Sequence, residues 1–169
     1  MIVTGIAALL LLWAMSPAED RMKDSGGPGM VPFELTSGQE RADEILAEWG
    51  EEGQDAAREQ LWIDFAFLLA YGAFLTLALR ATRDLAGSRG WRRLAAIGGV
   101  AVLLGALSAG FDALENICLL LTLSGAGAAL PLLATIFAAC KFILLAAAIA
   151  YLLAGLAMRL GSGRLAASP

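Results

Sequence analysis

The chain has 169 residues, of which 59% are hydrophobic and only 17% charged, with a formal net charge of −4 and a mean hydropathy of +0.70. An ordinary soluble domain is about 45–50% apolar and about 25% charged, so the composition excludes that class. The negative balance also argues against nucleic acid as a partner, which calls for a basic stripe.

The apolar residues come in long runs, and a run of about 20 crosses a bilayer. The expected fold is all-α: a single membrane domain over residues 1–169, built as a four-transmembrane-helix bundle with a short amphipathic helix in an acidic outer loop. The first span covers about residues 2–16 (IVTGIAALLLLWAM and its end). A signal peptide has an apolar core of similar length, but Met1 is followed directly by Ile2, without a basic flank, so a retained helix is the expectation.

An outer loop, residues 17–60, follows. Between Glu19 and Glu59 it carries twelve acids against four bases. Its stretch SGGPGMVP, Ser25 to Pro32, reads as irregular. Ser37 and Glu40 stand at capping-box spacing. Ala42, Ile45, Leu46 and Trp49 then recur at helical intervals, which predicts an amphipathic helix over 38–49, covering the bundle end or docking a partner. Gly50 and Gly53 are expected to end it. A further helical stretch, Gln54 to Gln60, should run into the second span. Trp49, Trp62, Trp13 and Trp91 are expected at headgroup level, where indole rings collect.

The second span is expected at 61–80, the third at 94–123 and the fourth at 130–158. Between the second and third, residues 81–93 form a connection whose flanks and interior carry Arg80, Arg83, Arg89, Arg92 and Arg93 against Asp84 alone. Short basic loops stay in the cytoplasm. Both termini are therefore expected in the cytoplasm and loop 17–60 outside, in a plasma or bacterial inner membrane. The turn 124–129 supplies Gly125 as a helix-ending glycine, and Pro131 suits a first helical turn.

Four ionisable residues interrupt the spans: Asp64, Asp112, Glu115 and Lys141. Counted from the arginine at the cytoplasmic end of each helix, Asp64, Asp112 and Lys141 lie about 24–28 Å along it. Three helices thus deliver a charge to a similar height. Asp112, Glu115 and Asn116 share one helix face by their i, i+3, i+4 spacing, and Ser108 and Gly105 extend that face with little bulk. Tyr71 lies two turns from Asp64. A lone charge in hydrocarbon costs about 2.5–3.5 kcal/mol on insertion scales, so these groups are expected to meet. Three acids against one base leave a surplus. It can be relieved by a proton, by an entering cation or amine, or by outside water.

Histidine is absent, which removes histidine-based haem and zinc ligation and Ser-His or Cys-His nucleophiles. No cofactor and no metal are expected. Cys118 and Cys140 should lie at different heights, too far apart for a disulfide. Ala146, Ala150 and Ala154 form a small-residue row, which would pack inside the bundle or make a homodimer seam.

A loop ending in ILAEWG, the span LWIDFAFLLAYG and the segment FDALEN together resemble small uncharacterised bacterial four-helix integral membrane proteins. The resemblance covers roughly residues 33 to 158 as a scheme of spans. It implies the fold and carries no activity. The expected function is that of a membrane protein in contact with lipid. Its polar cluster (Asp64, Tyr71, Ser108, Asp112, Glu115, Asn116, Lys141) would stabilise the bundle and bind a cation, amine or lipid headgroup. The alternatives are a membrane enzyme on a lipid-like substrate using carboxyl acid/base groups, or a small proton- or ion-coupled carrier.

Overall fold

A computed structural model describes residues 1–165, all helical apart from short turns and with no strand among them. Six helices follow in order: α1 (Ile2–Ala14), α2 (Ser16–Asp24), α3 (Met30–Glu34), α4 (Gln39–Ser88), α5 (Arg92–Leu123) and α6 (Leu130–Leu165). Four stretches are long and apolar enough to cross a membrane: Ile2–Asp24, Gln39–Ser88, Arg92–Leu123 and Leu130–Gly161. In lipid only a helix or a closed barrel satisfies every backbone N–H and C=O internally, and these apolar runs take the helical solution.

α5 packs against α4 on one side and α6 on the other, while α1 and α2 lie along α4. The close approaches occur at small residues. A methyl group on Gly105 would sit 2.6 Å from a Leu79 methyl, and one on Gly155 would sit 2.3 Å from that of Thr82. α5 ends in a Schellman turn: Gly125 takes φ 76°, its N–H donates to Thr122, and the Ala126 N–H donates to Leu121. Pro131 occupies the first turn of α6.

Two apolar cores form. One is built from Met22, Met30, Phe33, Ile45, Trp49, Leu61 and Leu119. The other comprises Leu75, Leu79, Leu94, Ala101, Ala148 and Tyr151, whose hydroxyl donates to the Leu94 carbonyl at 3.2 Å. On α4, α5 and α6 alike, the ionisable residues Asp64, Asp112, Glu115 and Lys141 lie between the two cores.

The segment before the second long apolar run departs most from expectation. Ser25–Gly29 is irregular, but Met30–Glu34 forms a helical turn, because Met30 and Phe33 share one side and are both buried. The capping box does not form. Gly38 is the N-cap, without a side-chain bond, so Glu40 falls one position short of the N3 site the box requires. Gly50 does break the helix, with φ 58° and ψ −161°, a conformation only glycine takes without strain. Gly53 ends nothing. It is buried within the continuing helix, where a methyl group would lie 2.6 Å from Ser25 Oγ and from Trp49 Cβ.

Trp49 is not an interfacial anchor. It is 1% exposed, 4.9 Å from Phe33 between ring centroids, and its indole N–H donates to the Pro28 carbonyl at 2.6 Å. Trp62 and Trp13, by contrast, are 65% and 76% exposed. Ala146, Ala150 and Ala154 also face outward, so this row does not pack within the chain, as one of the two expectations had it; Ala138 and Ala148 face the neighbouring helices instead. Cys118 and Cys140 are both free.

Trp49→Ala empties the centre of the first core and leaves the Pro28 carbonyl without its donor. It should cost about 3–5 kcal/mol of stability. Trp62→Ala at an exposed position should cost about 0.5 kcal/mol or less. Unfolding of the two variants in detergent, followed by circular dichroism, checks this; equal losses would contradict the packing described.

Candidate functional site: a carboxylate cluster around one lysine

α5 contributes the largest share of the site. Asp112, Glu115 and Asn116 are all buried, as their shared helix face requires, with Glu115 at 0% exposure. α6 contributes Lys141. Its Nζ lies 3.0 Å from Asp112 Oδ1 and 2.7 Å from Glu115 Oε2. α4 contributes two groups. The Tyr71 hydroxyl donates to Asp112 Oδ2 at 2.8 Å, and Asp64 Oδ2 accepts from the Asn116 amide at 2.6 Å. Six of the residues singled out in the sequence thus meet directly. The seventh, Ser108, is buried on the same face one turn away, where it donates to the Gly105 carbonyl of its own helix and lies against the Tyr71 hydroxyl.

An eighth residue joins them, and sequence reasoning counted it among the solvated loop acids. Glu34, at the end of α3, brings its carboxyl against that of Glu115. α3 is held there partly by Thr135 of α6, whose hydroxyl donates to the Glu34 carbonyl at 3.2 Å. A signal was present: Glu34 is the one acid in the apolar stretch MVPFEL. Burial raises the Glu34 carboxyl above its ordinary range. Lys141 opposes the shift and Asp112 adds to it.

The cluster therefore holds four carboxyls, Glu34, Asp64, Asp112 and Glu115, around one ammonium. Lys141 is occupied by Asp112 and Glu115. Neither Glu34 nor Asp64 has an ion pair among the described residues. Glu115 Oε1 meets no hydrogen-bond donor there either. Beside these groups lies a cavity of about 310 Å³, lined by Glu34, Asp64, Tyr71, Asp112 and Lys141, with Phe67 and Phe142 among its apolar walls. A larger hollow of about 440 Å³ between α4 and α5, at Leu68, Leu77 and Ala106, has no ionisable group. Among the described residues no set of three or more Cys, Asp or Glu side chains is arranged to hold a metal ion.

Two outcomes follow. Asp112→Asn removes one of the two charges facing Lys141, and breaking a buried pair from one side costs about 3–5 kcal/mol. Glu51→Gln, on an exposed face, should leave the melting curve unchanged; indistinguishable melts for the two would mean the cluster does not hold the fold. Glu34 supplies the second outcome. Its carboxyl holds its proton more tightly when folded than at the ordinary value of 4.5, so the folded state binds the extra proton. This share of stability is complete below that value and is lost as pH rises through the folded pKa. Melting temperature measured against pH should fall less steeply above 4.5 in Glu34→Gln than in the parent.

No protein-family model matches the chain, and neither a curated protein nor a solved structure is significantly similar to it, so the cluster has to be read from its own chemistry.

Proposed function

We propose that the chain is a multi-pass membrane protein, a four-helix transmembrane bundle whose polar cluster locks the helices together and binds an organic cation, an ammonium group, from the outer side. The membrane assignment is supported by four helices of sufficient length and apolarity. The orientation, with Arg80–Arg93 and both termini in the cytoplasm and residues 17–60 outside, rests on the arginine bias of short loops. The exposed row Ala146, Ala150, Ala154 would then face lipid or a second copy of the chain.

One observation carries the binding reading: two carboxyls, Glu34 and Asp64, face a 310 Å³ cavity, while the one ammonium of the cluster, Lys141, forms its ion pairs with Asp112 and Glu115. A half-buried carboxylate whose only nearby cation is ion-paired with other acids gains from a proton or from an added cation. Tyr71 and Phe67 add aromatic surface, which attracts ammonium groups. Donors to the carboxylates are already supplied by Asn116 and Tyr71, so what the cavity lacks is positive charge and not hydrogen bonds alone. The acid–base enzyme gains less from this geometry. Both oxygens of Asp112 are engaged, one by Lys141 and one by Tyr71, which leaves that carboxylate no free oxygen for acid–base work.

Titration calorimetry of the detergent-solubilised protein with propylammonium chloride tests the reading. Saturable binding is expected, and Asp64→Asn or Glu34→Gln should each weaken it about tenfold or more, the worth of one charge-assisted hydrogen bond. Affinity should also rise with pH above 4.5, as Glu34 gives up its proton. Absence of saturable heat, or heat unchanged when Asp64→Asn and Glu34→Gln are combined, would overturn the proposal.

A further inference from the structure

The cavity shares a wall with another. A second hollow of about 470 Å³ runs between α1 and α4, lined by Ile6, Leu9, Leu12 and Phe74, with Phe67 and Tyr71 as shared walls of both. All nine residues around it are apolar or aromatic except for the Gly5 backbone and the Tyr71 hydroxyl, and that hydroxyl is turned into the cluster toward Asp112. From Phe67 to Phe74 the shared helix descends about 10 Å, away from Glu34 and toward the arginine-rich end. α1 itself packs lightly: Ala8 is its one buried residue.

A pocket rich in carboxyls and an apolar trough thus lie on either side of one pair of aromatic rings, Phe67 and Tyr71, whose centroids are 5.1 Å apart. We infer that the ligand is a single-chain amphiphilic amine, with its ammonium between Glu34 and Asp64 and its hydrocarbon chain lying in the α1–α4 trough. This rests on the ammonium reading above and narrows it to one class of molecule. The two halves are complementary in kind. The carboxyls reject an anionic or neutral headgroup that would leave their charge uncompensated. The trough offers no partner to a second polar end. A chain in the trough would enter from the lipid beside α1 with its ammonium held at the outer end, which fits a molecule already partitioned into a bilayer.

The test uses dodecylamine carrying a photoreactive diazirine at mid-chain, with the full chain in lipid nanodiscs, and maps adducts by mass spectrometry. Adducts should concentrate on Ile6, Leu9 and Phe74. Excess unlabelled dodecylamine should remove them, while excess dodecanoate should not. The Asp64→Asn, Glu34→Gln double variant should lose them severalfold without loss of helicity. Propylammonium binding that persists together with adducts scattered over all outward helix faces would overturn the trough and leave the ammonium site standing. No saturable binding of either amine would remove both. Adducts in the trough that dodecanoate displaces equally well would mean an acyl-chain groove indifferent to headgroup, and would also overturn the inference.

Discussion

The ammonium of Lys141, held between Asp112 and Glu115, is the contact on which the rest of this structure depends. Apolar helices in lipid gain little from touching one another, since lipid tails are as apolar as leucine, and many rotations and heights pack almost equally well. A buried polar network is not tolerant in that way. It leaves a charge uncompensated unless α5 and α6 meet at one register, and it recruits α4 through Tyr71 and Asn116–Asp64. Buried ionic groups are often a poor source of net stability but can select one arrangement among several. The position of the cluster, between two apolar cores on each of the three helices, suits that role.

The segment from α2 to Gly50 has a different logic. It folds over one end of the long helices by ordinary hydrophobic burial: Met22, Phe33, Ile45 and Trp49 fill a common core with Leu119 and Leu123 of α5. Ion pairs on its rim, such as Arg21 with Glu59 and Arg41 with Glu44, are exposed and contribute little beyond orientation. The effect that matters is local. Packing Met30 and Phe33 inward leaves Glu34 at the end of a short helix aimed at Glu115, so the covering segment adds a carboxyl to a site that already had too many. Covering the helix ends and shaping the cavity are thus the work of one element, and a change that loosens Trp49 would reach the cavity through α3.

That surplus gives the proposed chemistry its direction. A site with balanced charges would need nothing further. Four carboxyls around one base, next to a trough without polar walls, favour a ligand that is positive at one end and hydrocarbon along the rest. In the proposed site a proton and an ammonium would compete for Glu34.

Much of the helical layout was legible in the residues. Apolar run length placed the four long helices, with the third at 94–123 against an observed Arg92–Leu123. The i, i+3, i+4 spacing of Asp112, Glu115 and Asn116 depends on helix geometry alone, and the common height of Asp64, Asp112 and Lys141 follows from the helix rise once the arginine ends of the three helices are taken as level. Gly50 was legible as a break because only its backbone tolerates a positive φ there cheaply. These are local properties, set by bond geometry and by the cost of placing charge in hydrocarbon. Glu34, Trp49, Gly53 and the outward alanine row were not legible. Each depends on which surface another segment covers, and composition assigns the same letters to a solvated acid and a buried one. Only the tertiary structure decided that Met30–Glu34 folds back over the cluster, that Trp49 turns inward to reach the Pro28 carbonyl, and that two separate hollows share Phe67 and Tyr71. Those outcomes come from contacts between residues far apart in the chain, where the balance of burial energies is settled by the whole packing and not by any one stretch.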